Sequence, residues 1–357
     1  MSLLFTPLKL RDLTIRNRIF LAPMCQYSAV AGVPTDWHLV HLGARASGGA
    51  GLVMVEATAV TPEGRISPAD CGLWNDEQAL AFQPITRFIT SAGAVPAIQI
   101  AHAGRKAGTN APWLGGKYVP PAEGGWQPVA PSALAFDGNS PVPRALTGAE
   151  IDTLVADFTA AARRALVAGF QVVELHAAHG YLLHQFLSPI ANQRTDDYGG
   201  SLENRMRLPL RIARAVRELW PAAWPVFVRI SATDWLEHTG GGWDLAQSII
   251  FARELKTLGI DLIDTSSGGM SPAAKMTVAP GYQVHLASAL RQHADIATGA
   301  VGLITDPHQA EAILTAHHAD AILLGRELLR NPHWPLHAAA TLGDTIAWPV
   351  QYERSRK

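Results

Sequence analysis

The feature that most constrains this chain is a regular alternation of short, β-branched apolar runs with longer amphipathic stretches. The short runs predict strands and the stretches between them predict helices, so the pattern is typical of parallel βαβ units. About eight such units follow one another, which favours a closed (β/α)8 TIM barrel of the α/β class over an open doubly wound sheet. The predicted strands span residues 18–25, 51–58, 95–102, 171–176, 226–231, 261–266, 296–301 and 320–325.

The amphipathic stretches predict helices over residues 36–47, 77–91, 149–168, 202–220, 244–258, 284–293 and 307–317. Two of these helices have capping signals at their starts. Thr147 precedes Glu150 by three residues, which is the spacing of a capping box, and Asp306 directly precedes Pro307, which suits an N-cap followed by a first-turn proline.

Two segments depart from the alternation. Residues 105–147 are rich in Gly, Pro and Trp and are too long for a plain strand-to-helix loop. They predict an excursion after the third strand, over the carboxyl-terminal mouth of the barrel. Residues 8–16 predict an N-terminal hairpin that closes the opposite end. The chain from 1 to 357 is therefore expected to be a single domain that ends in a tail over residues 345–357.

Composition excludes several classes of protein. The 357 residues are 48% hydrophobic and 17% charged with a formal net charge of -1, which is typical of a soluble enzyme and gives no reason to expect nucleic acid or a membrane as partner. Two cysteines, Cys25 and Cys71, are too few for a disulfide scaffold or a four-cysteine cluster. Because neither a signal peptide nor a membrane span is apparent, we expect a cytoplasmic protein.

Three residues at the carboxyl ends of the last two predicted strands suggest a phosphate site, because the active site of such a barrel forms at these strand ends. Gly302, Gly325 and Arg326 could either simply end these strands or hold a phosphate with backbone N–H groups and a fixed positive charge. Neither G-x-G-x-x-G nor a Walker A motif occurs in the chain. A mononucleotide in the barrel therefore fits better than a dinucleotide on a Rossmann domain.

A pair of histidines, His176 and His179, follows the fourth predicted strand. Three interpretations stay open on spacing alone. The pair could ligate a metal together with Glu174 or His102, donate hydrogen bonds to a carbonyl or anionic oxygen, or be satisfied by loop backbone. Tyr181, beside them, could serve as a proton donor or simply pack.

Three further side chains stand out because of their apolar surroundings. Cys25, at the end of the first predicted strand, is either a small buried hydrophobe or a thiol that needs a neighbouring base. Arg229 ends an apolar strand, where a guanidinium is costly unless it meets an anion. Gln99 lies within the third strand, where its amide could pair with the carbonyl and N–H groups of a ring edge.

Together these pieces resemble the Old Yellow Enzyme family of flavin-dependent ene-reductases, and more closely its shorter bacterial branch with an active-site cysteine. The resemblance covers residues 4 to 354 and is carried by residues 22–27 (APMCQY), 99–106 (QIAHAGRK), 176–181 (HAAHGY) and 185–205 (QFLSPIANQRTDDYGGSLENR). Departures from the family pattern fall in residues 108–145 and 237–242. Because these segments border the pocket, substrate preference stays open.

The resemblance implies FMN, bound non-covalently at the barrel mouth, and no metal. Gln99 would pair with the pyrimidine edge of the flavin, and Arg229 would lie near N1 and O2, where negative charge appears on reduction. Cys25 would touch the ring and tune its redox behaviour. The full set of implied FMN-binding residues is Ala22, Pro23, Met24, Cys25, Ala57, Gln99, Arg229, Gly302, Gly325 and Arg326.

The activity implied by the resemblance is that of an NADPH dehydrogenase or ene-reductase, which reduces the C=C bond of α,β-unsaturated carbonyl or nitro compounds. NADPH or NADH would reduce FMN, and FMN N5 would pass hydride to the alkene. His176 and His179 would hydrogen-bond the substrate oxygen, and Tyr181 would protonate the α-carbon. Catalytic roles thus fall to Tyr181, His176, His179 and Cys25, while Tyr27 would contact the substrate's activating group.

The C-terminal tail adds an expectation about assembly. By the same resemblance, Arg354 would reach into the active site of a neighbouring subunit and bind substrate there. We therefore expect a homo-oligomer built from dimers.

Two other functions remain open on the sequence. A metal-dependent barrel hydrolase would use His176, His179 and Glu174, and it predicts bound metal and no flavin colour. A non-catalytic flavin redox sensor would report through Cys25, and it predicts colour without turnover of an alkene.

Overall fold

The computed structural model describes residues 1–356, in which a closed barrel of eight parallel strands forms the centre. The strands in chain order are β1 (Leu8–Leu10), β2 (Leu13–Ile15), β3 (Ile19–Leu21), β4 (Leu52–Ala59), β5 (Val95–Ala101), β6 (Val129–Ala130), β7 (Arg144–Ala145), β8 (Val172–Ala177), β9 (Val226–Ser231), β10 (Leu262–Ser266), β11 (Ala297–Ala300) and β12 (Ala321–Leu324). The barrel order is β3, β4, β5, β8, β9, β10, β11 and β12, and β12 pairs with β3 to close it.

All eight predicted barrel strands are present, and the TIM-barrel prediction is confirmed. Strands such as β4, β5 and β8 are buried at every residue, because helices cover one face and the barrel interior the other. The largest difference concerns the first strand, which ends at Leu21 rather than at residue 25. Residues 22–25 instead form a loop at the barrel mouth, so they face the site.

Ten α-helices surround the barrel: α1 (Asp36–Ser47), α2 (Asp76–Ser91), α3 (Gly148–Ala168), α4 (Leu182–Leu187), α5 (Leu202–Leu219), α6 (Leu245–Thr257), α7 (Val284–Ala294), α8 (Pro307–Thr315), α9 (Arg326–Arg330) and α10 (Trp334–Thr341) among the described residues. The seven predicted helices correspond to α1, α2, α3, α5, α6, α7 and α8. Both predicted caps are confirmed, because Thr147 Oγ1 accepts from the N–H of Glu150 and Asp306 Oδ1 from that of Gln309. No described helix is long and apolar enough to cross a membrane.

The barrel interior and the layer outside it form two separate apolar cores. In the interior, the rings of Phe20 and Phe227 stack with centroids 6.4 Å apart. Leu8 and Ile15 from the antiparallel hairpin β1–β2 belong to the same cluster, so the predicted hairpin closes this end of the barrel. The opposite end, where the strands finish, is left for polar side chains.

The predicted excursion is also present. Residues 105–147 form short 3-10 turns and the two-residue pair β6–β7. They border a cavity of about 950 Å³ that Tyr181 also lines. The excursion is tied to the barrel mouth by Arg105, whose guanidinium Nη2 donates to the carbonyl of Met270 at 2.8 Å.

Candidate active site at the carboxyl ends of the barrel strands

A small cavity lies where β11 and β12 end. Its volume is about 190 Å³, and Gly302, Gly325 and Arg326 all line it. Gly302 has φ of 127°, and a Cβ there would lie 3.3 Å from the backbone nitrogen of Gln283. A side chain at this position would therefore occupy part of the cavity. The three residues predicted to hold a phosphate thus surround one space.

The loop after β3 lies beside this cavity. Met24 is adjacent to Gly325, since a Cβ on that glycine would lie 3.4 Å from the Met24 sulfur. The backbone of Ala57, at the end of β4, faces the Cys25 sulfur. Ala22 and Ala57 are buried, and Pro23, Met24 and Cys25 are half-buried. The fold therefore brings the predicted flavin-lining residues to one mouth.

The floor of this mouth is a buried polar layer. Gln99 Nε2 donates to Glu174 Oε1 at 2.7 Å. Arg229 Nε lies 3.1 Å from Asp264 Oδ2 but has no hydrogen-bond partner among the described residues. Because a buried guanidinium without an aligned acceptor is costly, this arrangement fits a bound group that supplies acceptors.

His176, His179 and Tyr181 form an aromatic cluster beside the floor. The His176 ring is 5.2 Å from the His179 ring and 5.0 Å from the Tyr181 ring, nearly perpendicular to both. His179 Nε2 lies 2.7 Å from Ser266 Oγ. His176 Nδ1 accepts from the N–H of Ala178 at 3.3 Å, so its ring proton is on Nε2, which is free to donate.

Burial, with Arg229 as the next cause, lowers the pKa of His176 and His179 well below the ordinary value of 6.5. Both rings are therefore neutral near pH 7. Burial raises the pKa of Tyr181 well above its ordinary value, so its phenol keeps its proton. The cluster thus presents neutral hydrogen-bond donors rather than an acidic imidazolium.

Cys25 and Tyr27 lie in the loop that follows β3. Burial and the charges of Asp70 and Glu56 raise the pKa of the Cys25 thiol well above its ordinary value. The thiol is consequently a poor nucleophile, because the thiolate is the reactive form. Tyr27 has φ of 50° and packs edge-on against Trp113 of the excursion, with ring centroids 5.5 Å apart.

Several site residues had no assigned role in the sequence analysis. Asp264 and Ser266 lie on β10, and this strand offers a signal, since its apolar start is followed by polar residues that are also buried. Lys106 donates from Nζ to the carbonyls of His179 and Gly269 at 2.9 and 3.1 Å. The contact between Lys106 and Gly269 could not be predicted from the sequence, because the two residues are distant along the chain.

The proposed metal ligands His176, His179 and Glu174 do not group at ligand distance. Among residues 1–356, His38, Glu56 and Cys71 form the one such group. His38 Nδ1 accepts from the N–H of Thr35 at 2.9 Å, so Nε2, which faces Cys71 at 3.2 Å, carries the proton. Protonated nitrogen cannot ligate a metal, and this group is better explained as a hydrogen-bonded cluster.

The tail lies against its own chain. Tyr352 packs on His333, with ring centroids 5.6 Å apart, and Arg354 is exposed in a 3-10 turn. Lys357, the last residue of the predicted tail, lies outside the described residues.

These features fit FMN. The cavity lined by Gly302, Gly325 and Arg326 suits its phosphate. The amide of Gln99 and the Arg229 guanidinium, whose Nε has no hydrogen-bond partner in the described part of the chain, suit the edge of a heteroaromatic ring. The fold and the site thus define a TIM-barrel flavin oxidoreductase.

The chain belongs to the NADH:flavin oxidoreductase / NADH oxidase family, whose sequence profile matches residues 3–344. It is 50% identical over 359 residues to the NADPH dehydrogenase of Listeria welshimeri serovar 6b, with 100% of both chains covered. The predicted membership in the Old Yellow Enzyme group is confirmed. The protein is therefore an oxidoreductase with FMN as cofactor and NADPH as reductant.

Solved structures agree with this assignment. Morphinone reductase is similar with a TM-score of 0.79 and 32% identity, covering 98% of this chain and 91% of that one. The Old Yellow Enzyme homologue from Zymomonas mobilis is similar with a TM-score of 0.77 and 31% identity, covering 97% and 94%.

Proposed function

We propose that this protein reduces the C=C bond of alkenes activated by a carbonyl or nitro group. The observation that carries the proposal is the cluster of His176, His179 and Tyr181, two neutral imidazoles and a neutral phenol that converge beside the flavin floor. When bound, FMN supplies hydride chemistry, accepting hydride from NADPH or NADH and giving it to an alkene carbon.

The two histidines bind the activating group. The Nε2–H of His176 donates to the substrate oxygen, and His179, held by Ser266, lies beside it. Negative charge grows on that oxygen as the double bond is reduced, so fixed donors stabilise the transition state more than the ground state. Neutral imidazoles suit this role because they bind without first protonating the oxygen.

Tyr181 supplies the proton. Its phenol stays protonated because burial raises its pKa, and it stands next to the His176 ring. A substrate whose oxygen is held at His176 is therefore close to the phenol, which protonates the carbon next to the activating group.

Cys25 and Tyr27 shape the pocket. The raised pKa of Cys25 argues for contact with the flavin ring as a neutral thiol, and it also disfavours a thiol-based sensor. Tyr27, which packs against Trp113, contacts the activating group.

The assembly is part of the proposal. We propose a cytoplasmic single-domain enzyme built from dimers, with Arg354 of each chain entering the partner's site. The exposed position of Arg354 in the 3-10 turn Val350–Ser355 supports this, because its side chain is accessible to a partner chain.

The test is a visible absorption spectrum of the purified protein, repeated anaerobically after NADPH and then after cyclohexenone. We expect flavin bands that bleach with NADPH and return with the enone. Bands that bleach but do not return would support the sensor and contradict alkene reduction. Absence of bands after incubation with FMN would contradict the flavin site itself.

A further inference from the structure

Two carboxyl groups face each other in the floor beneath the flavin site. Glu174 is on β8 and Asp264 on β10, and β9, which carries Arg229, lies between these strands. Both carboxyl side chains are completely buried, and they lie close enough together that each affects the pKa of the other.

If both carboxyl groups of this pair were ionised, most of their oxygens would lack hydrogen-bond donors. Glu174 Oε1 accepts from Gln99, but Glu174 Oε2 and both oxygens of Asp264 have no donor among the described residues. Two carboxylates in contact repel each other and cannot bond, whereas one shared proton gives a strong O–H···O⁻ bond. That proton satisfies an oxygen on each side.

The charges around the pair point the same way. Gln99 from β5 is neutral. Arg229 from β9 lies with its Nε 3.1 Å from Asp264 Oδ2, and its positive charge acts on both carboxyls. One guanidinium balances one carboxylate, so a second buried negative charge would be uncompensated. Burial raises the pKa of both carboxyls, and the charge of Asp264 raises that of Glu174 further, while Arg229 opposes these effects.

We propose that Glu174 is a carboxylic acid that donates its proton to Asp264, which makes it a positioning residue for the flavin floor. Its carbonyl oxygen takes the amide N–H of Gln99. The amide oxygen of Gln99 is thereby fixed as the acceptor for an N–H of the flavin ring edge. The floor carries one positive and one negative charge, so it does not repel an electron-rich reduced ring.

The inference rests on the proposed flavin site. Its first test therefore uses the apoprotein, so that the outcome does not depend on whether FMN binds. Infrared spectra of the apoprotein in heavy water should contain the carbonyl band of a protonated acid that is missing from the Glu174→Gln variant. Glu254→Gln, an exposed site on α6, is the matched control and should keep the band. An unchanged band in Glu174→Gln would overturn the proposal. Circular dichroism establishes that each variant is folded.

A second test uses the FMN-loaded protein. A glutamine at 174 keeps the two interactions proposed for the acid, a carbonyl oxygen that accepts from Gln99 and a donor that faces Asp264. Glu174→Gln should therefore leave FMN affinity within about twofold and leave the reduction potential unchanged within error. Glu174→Leu should weaken FMN binding about tenfold, because Gln99 loses its anchor. A positive shift in potential for Glu174→Gln would show that Glu174 is ionised and would overturn the proposal.

The two failures are distinguishable. If no chain binds FMN, the flavin site is wrong whatever the infrared result. If the parent binds FMN and lacks the acid band, only the shared proton is wrong.

Discussion

The ammonium of Lys106 lies 5.1 Å from the centre of the Tyr181 ring, over its face. The same nitrogen is 4.7 Å from the centre of the Phe136 ring and donates to the carbonyls of His179 and Gly269. A cation over a phenol stabilises the negative charge that develops as the phenol gives up its proton. We therefore expect Lys106 to make Tyr181 a better acid without touching the substrate.

This relationship predicts a pH dependence. Burial, and then the charge of Arg105, lower the pKa of Lys106 from 10.5 to about 8. Above that pH the amine is neutral and no longer stabilises negative charge on the Tyr181 phenol. Reoxidation of the reduced enzyme by cyclohexenone should therefore slow by about tenfold as pH rises through this value. Stopped-flow absorbance measures it. Reoxidation of Lys106→Met should be slow at lower pH as well, and its rate should not fall further as pH rises through this value. The same fall in rate in that variant would contradict the assignment of the pH dependence to Lys106.

Tyr181→Phe should separate the two half-reactions. Flavin reduction by NADPH should continue at the parent rate, because no proton from Tyr181 is needed. Reoxidation by cyclohexenone should slow by at least about 100-fold, the usual contribution of a general acid. Rapid-reaction absorbance follows both steps. Equal slowing of the two steps would remove Tyr181 as proton donor and point to a structural role.

His176→Ala should weaken the binding of phenols, whose ionised oxygen resembles the oxygen of a reduced enone. Loss of one hydrogen bond to a charged oxygen should raise the dissociation constant by about tenfold or more. Titration of the long-wavelength charge-transfer band measures this. His176→Asn keeps an N–H donor and should recover part of the affinity. Unchanged phenol binding in His176→Ala would place the oxygen elsewhere.

Gly269→Ala should disturb the backbone of the loop that carries His179. Gly269 has φ of 87°, and a Cβ would lie 2.6 Å from the backbone of His179. The added methyl cannot be accommodated without moving that backbone, so we expect about 3 kcal/mol of destabilisation from left-handed strain and overpacking. Phenol affinity should fall as well.

Gly343→Ala is the matched control for this change. Gly343 has φ of 73°, and a Cβ there would meet nothing within 4 Å. It should cost only the left-handed strain, about 1 kcal/mol. Chemical unfolding compares the two variants. Equal losses would show that the close approach to His179 has no energetic weight.

Much of the fold could be predicted because its signals are local. The strand β9 is a short apolar run, the helix α1 has an amphipathic period, and the caps at Thr147 and Asp306 depend on neighbours three residues away. The helix α4 was missed because all six of its residues are buried, which leaves no amphipathic period to detect. The helix α9 was missed because five residues are too few to show one.

The family motifs in the sequence predicted which residues would form the site, but not the contacts among them. Sequence pattern alone determined that eight strands would carry polar residues to one mouth, because side-chain periodicity and strand count are properties of the chain itself. Only the tertiary structure decided that Lys106 covers Tyr181, that Gly269 touches His179 and that Glu174 meets Asp264. Each of these pairs joins different strand ends, and the burial that sets their protonation exists only once the barrel has closed.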